Sequence, residues 1–384
     1  GLRAKAGNFT MEEIDEAVKD LHARGKKGYL TVNAYARDAE LEAISKYLAE
    51  VAETGVNGFI ISDPGVFQLA KQYAPKVERH ISTQTNTTNS AAVNMWAELG
   101  ATRVVMAREL EKAELAEVVK NSKIEIECFI HGAVCISYSG RCLMSAYMAG
   151  RDANRGECTQ PCRWNFLPPS DKSYVIQEAS RPLQEMEIVE ECEQSEPADR
   201  RGGTYLYNAK DLCLIDRIGE LMEMGVASAK IEGRMKSVMY VAVTTGVYRK
   251  ALDLAKQNPA EYKADPKWQD LLSSVSNRHY TEGFYSSVPD KDAMNYDTSA
   301  YVRTSDFLGV FNADGAVECR GKFLPGEALQ ILTPSLDELD IVPLELYNSK
   351  GEQVENSRAN DVLTIKSDLT QAVPEGSLLR RILP

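Results

Sequence analysis

Short apolar runs along the first two-thirds of the chain alternate with stretches spaced like amphipathic helices. Residues 28–34, 58–63, 79–84, 103–107, 124–130 and 228–232 read as strands. Helical spacing occupies 38–54, 66–74, 89–98, 110–119 and 211–224. Thr10 followed by Glu13 is a capping-box pattern and predicts a further helix at the start. Such alternation specifies a mainly parallel sheet. Six strands are legible, so either the sheet is open or two more strands lie upstream of residue 1. Polar residues recur at the strand ends: Asn33, Asp63, Gln84, Arg108 with Glu109, His131, and Glu232 with Arg234. In a parallel barrel these ends form one rim, where sites are built.

Residues 163–203 interrupt the alternation with a run rich in Pro, Ser and Glu, expected to be an exposed excursion. Helices are expected again at 238–256 and 263–276. Beyond about residue 298 the runs shorten, separated by turn signals such as Asp314-Gly315, Pro325-Gly326 and Lys350-Gly351. That texture predicts a small all-β module over 298–384, a barrel or sandwich, after an α/β domain over 1–290.

Composition narrows the class. Hydrophobic residues are 43% and charged residues 26%, ordinary for a globular protein. No run approaches the roughly 18–20 uncharged apolar residues of a membrane span. The first residues have neither a methionine nor an apolar signal core, so we expect a fragment or processed start and a cytoplasmic protein. A net charge of −12 argues against indiscriminate nucleic-acid binding, though a local basic patch can still hold RNA.

The eight cysteines change the picture most. Cys135-x6-Cys142-x15-Cys158-x3-Cys162 has the density of a ligand set. Zinc ribbons favour two tight pairs, whereas here only the second pair is tight, which favours an iron–sulfur cluster over zinc. Ordinary buried thiols are the remaining reading. Gly132, Gly140 and Gly156 permit close backbone approach around the site. Cys128 on a strand and Cys213 on a helix face are expected to be packing residues, and Cys192 and Cys319 lie apart.

The segment from Glu127 through His131, Cys135, Gly140 and Cys142 to Ser145 resembles the signature of peptidase family U thirty-two, the collagenase-like peptidases. Arg151-Asp152, Arg155-Gly156-Glu157-Cys158-Thr159-Gln160-Pro161-Cys162-Arg163-Trp164 is similar to its tRNA-hydroxylating branch. So are the runs 207–212, 230–236 and 279–284. The resemblance spans the whole chain. It implies a TIM-like parallel barrel whose first strands lie upstream, followed by a small C-terminal β-barrel. It also implies a 4Fe–4S cluster on Cys135, Cys142, Cys158 and Cys162. The implied reaction is prephenate-dependent 5-hydroxylation of the wobble uridine in certain tRNAs, with tRNA as partner and an accessory or paired family protein beside it. The usual Pro-Ala-Gly-rich opening of the family is absent.

Three functions compete: the hydroxylase, a peptidase following the family label, and an accessory binding protein with a structural cluster. A peptidase lacks both a His-Glu-x-x-His helix and a Gly-x-Ser-x-Gly elbow. Of the four histidines, His22 reads as surface, His80 and His279 as surface or site, and His131 as either a site residue or a structural one. Catalytic candidates are His131, Glu109 and Glu232. A dicarboxylate such as prephenate calls for guanidinium groups, and Arg108, Arg141, Arg151, Arg163 and Arg234 are the candidates. RNA phosphates would draw on Arg141, Arg151, Arg155, Arg163, Arg234 and Lys236. Trp164, Tyr138 and Tyr147 are candidates for stacking on a base, with core packing as the plainer role.

Overall fold

The computed structural model describes residues 8–166 and 204–383. Cys192, and the expected excursion beyond residue 166, lie outside the described residues. Helix α1 (Met11–Ala23) opens with the anticipated capping box between Thr10 and Glu13. The alternation then follows as β1 (Tyr29–Val32), α2 (Leu41–Glu53), β2 (Gly58–Ile61), α3 (Pro64–Tyr73), β3 (Glu78–Ile81), α4 (Ser90–Leu99), β4 (Arg103–Val105), α5 (Lys112–Asn121) and β5 (Glu125–Gly132). Each of β1 to β4 pairs in parallel with the next strand. Every residue of β2 is buried, as expected for a strand covered on both faces. Asp63 starts α3 by accepting from Val66 N, with Pro64 at the first helical position. Asn89 caps α4 through Ala92 N.

After β5 come α6 (Met144–Ala149), β6 (Asp211–Cys213), α7 (Ile218–Met224), β7 (Ser228–Ile231) and β8 (Tyr280–Thr281). The sequence pattern predicts helix throughout 211–224, but its first three residues form β6, antiparallel to the end of β5 and parallel to β8. Strands of three and two residues are too short to express a period, which is why β6 and β8 were not expected. The first sheet therefore has eight strands, in the order β1-β2-β3-β4-β5-β6-β8 with β7 on β5. Among the described residues this path is open between β1 and β8.

By packing, the chain forms two compact units: Gly1–Cys213, Leu221–Lys230 and Tyr280–Ser299 in one, and Leu214–Glu220, Ile231–His279 and Ala300–Pro384 in the other. The second unit contains α8 (Val238–Ala255) and α9 (Pro266–Ser274). It also holds the strands β9 (Ser305–Phe311), β10 (Val317–Cys319), β11 (Leu329–Leu332), β12 (Glu338–Ile341), β13 (Pro343–Asn348), β14 (Gln353–Val354), β15 (Val362–Ser367) and β16 (Leu378–Ile382). These form one antiparallel sheet in the order β12-β11-β16-β9-β10-β15-β13-β14, as the all-β texture predicts. Its core includes Leu308, Phe311, Val317, Phe323, Ile331, Leu346 and Leu379. Arg380 is 2% exposed within this unit, paired with Glu338 and bonded to Gln330 Oε1 and Ser274 Oγ. No helix among the described residues is long and apolar enough to cross a membrane.

Candidate functional site

The last strand-to-loop transition of the parallel run carries the cysteines. β5 ends at Gly132, whose φ of +107° turns the chain into the loop of Cys135 and Cys142. Cys158 and Cys162 follow α6. Ser145, fully buried on α6, ties the two segments: Thr159 N donates to its Oγ at 3.0 Å, and Thr159 Oγ1 lies 3.2 Å away. Cys135 and Cys158 are exposed, Cys142 and Cys162 half-buried. Burial pushes the Cys162 thiol up to about 11; Arg163 opposes the rise, while Cys135, Cys158 and Cys142 each add to it. All three other thiols thus lie within electrostatic reach of Cys162. Gln160 N donates to Cys158 Sγ at 3.4 Å, and Ser137 Oγ lies 3.6 Å from Cys135 Sγ. Among the described residues, no three His, Cys, Asp or Glu side chains are gathered as around a metal ion. The thiols feel one another without being drawn onto a single point.

The other cysteines among the described residues behave as packing residues. Cys128 on β5 and Cys319 in the second sheet are buried, and burial raises each thiol to about 12. Cys213 is half-buried on β6, a strand and not the expected helix face.

A polar pocket lies along the same loop. A cavity of about 400 Å³ is lined by Asn86, Thr88, Ser137, Tyr138 and Arg141. Arg141 Nε donates to Asn86 Oδ1, and its guanidinium lies 5.8 Å from the Tyr35 ring centre. Asn86 Nδ2 in turn donates to Ser139 O at 3.1 Å, holding the loop down. Beneath are two buried amides: Gln84 is 0% exposed and Asn154 5%. Tyr35 bridges them, its hydroxyl donating to Gln84 O and its backbone N to Asn154 Oδ1. Neither Gln84 Oε1, Gln84 Nε2 nor Asn154 Nδ2 has a hydrogen-bond partner among the described residues. Gly140 makes this possible: a Cβ there would sit 3.0 Å from Gln84 Nε2 and 3.2 Å from Asn154 Nδ2. Only a residue without a side chain, at φ +77°, lets the cysteine loop lie on these amides.

The candidates singled out by sequence are distributed unevenly. Arg141 lines the pocket. Arg151 is exposed, with no side-chain bond among the described residues. Arg163 is not open to a substrate: it is 5% exposed and its guanidinium donates to Asn208 Oδ1, Ala209 O and Val134 O. Its role is to brace the chain beside Cys162. Arg108 is likewise a brace, donating to Ala133 O at 2.6 Å with its guanidinium 3.7 Å from the Phe129 ring centre. Arg155 pairs with Glu40 and donates to Tyr35 O. Glu109 is half-buried, and burial raises its carboxyl above the usual range, the direction a general acid requires. His131 is 1% exposed at the end of β5, its ring 5.1 Å from that of Tyr280. Glu232, Arg234 and Lys236 belong to the second unit, where Lys236 Nζ donates to Ser276 O. His80 is buried and bonded to Glu78, and His22 is exposed and bonded to Asn57. His279, also of the second unit, is exposed. Tyr138 and Tyr147 are 46% and 72% exposed, so neither is a core aromatic. Trp164 is half-buried.

Asn154, Tyr35 and Asn86 were not anticipated as site residues. Gln84 carried a signal as a polar strand end, but Asn154 reaches it only through a fold contact that no spacing in the chain expresses.

Comparison with known proteins agrees with this layout. The model of "Peptidase family U32" matches residues 1–295, and that of "Peptidase family U32 C-terminal domain" matches residues 303–380. The tRNA hydroxylation protein P1 of Bacillus subtilis is 33% identical over 388 residues, covering 99% of this chain and 87% of that protein. The tRNA hydroxylation protein P of Escherichia coli is 35% identical over 389 residues, covering 91% of this chain and 83% of that protein. A 23S rRNA 5-hydroxycytidine synthase of Escherichia coli is 30% identical over 371 residues, 94% of this chain and 50% of that protein. With both family models matched in order and four cysteines on two segments pinned by Ser145, the chain belongs to peptidase family U32.

Proposed function

We propose that this protein hydroxylates a pyrimidine base in RNA, and that its substrate is carbon 5 of the wobble uridine in certain tRNAs. The observation that carries the reading is that Cys135, Cys142 and Cys158 all lie within electrostatic reach of Cys162 on two segments tied by Ser145, with the Arg141 pocket on the same loop. The relatives named for tRNA hydroxylation and for rRNA hydroxycytidine synthesis support it.

Replacing C5–H by C5–OH is a two-electron oxidation of the base that also adds an oxygen atom, so the reaction draws on an oxygen donor and an oxidant in addition to any one-electron centre. Cys135, Cys142, Cys158 and Cys162 fit a 4Fe–4S cluster by the chemistry of the donor set: four thiols on two tied segments, three of them within electrostatic reach of Cys162 and one receiving a backbone N–H bond. A cube spreads its ligands wider than one zinc ion does, which suits thiols not gathered on a point. When bound, such a cluster supplies one-electron redox chemistry. The chain's own residues do the rest. Arg141 offers a guanidinium to a carboxylate of prephenate, the co-substrate in this reading, within a cavity of about 400 Å³. Gln84, fully buried under Gly140, acts from beneath by setting the level of the cysteine loop. Glu109, raised by burial, is placed by this reading to hold or release a proton.

A cysteine peptidase would take one thiol as nucleophile and leave the other three of the clustered cysteines without a role. The test is nucleoside mass spectrometry of tRNA from cells lacking the gene, then complemented with wild type or Cys142→Ala. Hydroxyuridine-derived nucleosides should disappear and return only with wild type. Unchanged tRNA in the deletion strain overturns the function.

A further inference from the structure

The second compact unit holds a cavity of about 440 Å³, bounded by the start of α8, the turn after α9, and strands β9 and β16. Arg303, Lys322 and Arg381 line it, together with Asp306 and the hydroxyl residues Ser237 and Ser276. Arg303 pairs with Asp306 at 2.9 Å, and Arg381 with Glu327 at 2.6 Å. Lys322 is exposed, and its ammonium has no carboxylate partner among the described residues. Two more cations stand beside the cavity. Lys236 Nζ donates to the lining residue Ser276 and lies 4.1 Å from the ring centre of Tyr301; Arg278 lies 4.0 Å from the same ring. Tyr301 is 47% exposed, whereas Arg278 is 5% exposed and is no part of the open surface.

Around the cavity the cations Arg303, Lys322 and Arg381 stand against the two carboxylates Asp306 and Glu327, with Lys236 at the rim. That surplus is a local reversal on a chain of net charge −12. A polyanion repelled by most of the surface would dock where the sign changes. The lining favours phosphate and sugar over a base: it offers cations and hydroxyls, with the apolar residues Val275, Phe307 and Leu308 behind them. Its volume exceeds the needs of a lone phosphate and suits a backbone passing through.

We infer that this groove docks the phosphate backbone of the RNA substrate, with Lys322 and Arg303 as contacting cations and Lys236 at its edge. The inference rests on the RNA reading above and adds a contact surface to it.

The experiment titrates the full-length protein with tRNA and with a mixed-sequence single-stranded RNA at several salt concentrations. Wild type, Lys322→Gln with Arg303→Gln, and Lys120→Gln with Lys123→Gln on α5 and the turn after it are compared. The groove variant should bind both RNAs about tenfold more weakly at low salt. Its log–log salt slope should be flatter by roughly one unit per lost contact. The α5 variant should match wild type, and Lys322→Arg should restore most of the affinity. Should the double variant melt early, Lys322→Gln alone, at an exposed position, decides the question. If wild type binds and modifies tRNA while the groove variant keeps its affinity and slope, the groove is overturned and the function stands. If wild type binds no RNA, both fall. Competition by polyglutamate as strong as by RNA of equal charge also overturns the inference, in favour of an acidic protein partner.

Discussion

Gly140 sets the distance between the cysteine loop and the two amides beneath it. Gly140→Ala puts a methyl group 3.0 Å from Gln84 Nε2 at a φ of +77°. We expect it to cost about 1–2 kcal/mol in urea unfolding and to lower tRNA modification out of proportion to stability. Equal activity per folded molecule would show that the amides do not serve the site. The cysteines divide more sharply. Protein purified anaerobically should be brown, with about four irons, and Ala at Cys135, Cys142, Cys158 or Cys162 should bleach it. Cys319→Ala should keep the colour, because that thiol sits in the core of the second sheet. A colourless wild type with one tightly held zinc refutes the cluster. The thiols were legible because their spacing is local. The amide floor was not, because Gln84 meets Gly140 across a separation that carries no periodic signal. Arg163 misled for the converse reason: a guanidinium beside a cysteine looks the same in sequence whether it binds a ligand or ties three backbone segments together.

At the scale of single elements, β5 joins the sheet to the site, and Glu127 is the charge it buries. Arg103 on β4 reaches it at 3.2 Å, Lys230 on β7 at 2.8 Å and Ser228 at 2.8 Å. Burial alone would raise the Glu127 carboxyl, but Lys230, Ser228 and Arg103 outweigh it and hold the group below the usual carboxylate range. With the folded value depressed, this stabilisation is complete above the unfolded value of about 4.3 and is lost as pH falls through the folded one. Glu127→Gln should therefore destabilise by about 3 kcal/mol at pH 7, leaving Lys230 without its carboxylate and Arg103 with Glu125 alone. The gap from wild type should close progressively below about pH 4. A gap independent of pH would assign the loss to packing instead. The partner of this network on β7 was visible as Lys230-Ile231-Glu232, and five parallel neighbours followed from alternation alone. β6 and β8 escaped because they exist only through their neighbours: three and two residues have no pattern of their own.

On the scale of the molecule, the division into compact units has a consequence for truncation. Within the second unit, Ser305 Oγ donates to Ser274 O, Asn277 bridges to Val302, and Arg380 reaches Ser274 Oγ. A chain ending at residue 299 keeps α8 and α9 but loses every one of these partners. Buried faces of α8, among them Met239, Val243 and Val247, belong to that same unit. Such a chain should bind a hydrophobic dye strongly and precipitate on mild heating, whereas full-length protein should do neither. If the truncated chain stays monodisperse with an intact melting transition, α8 and α9 do not depend on the β-rich part.

Strand β16 has a further consequence, in the order of events on the ribosome. Of the strands in its sheet it is made latest, yet it lies between β11 and β9, pairing with both. Before residues 378–382 emerge, the sheet is two separate pieces: a β11–β12 hairpin, and the set β9, β10, β15, β13 and β14. Each piece then offers a free edge where β16 belongs, and long-range pairing is slow to close. A nascent chain stalled short of residue 378 has its edge-strand hazard fully exposed, so chaperone occupancy should rise there and fall once the strand is in place. Emergence of β16 thus acts as a checkpoint for this sheet, since no earlier strand can zip its two halves together.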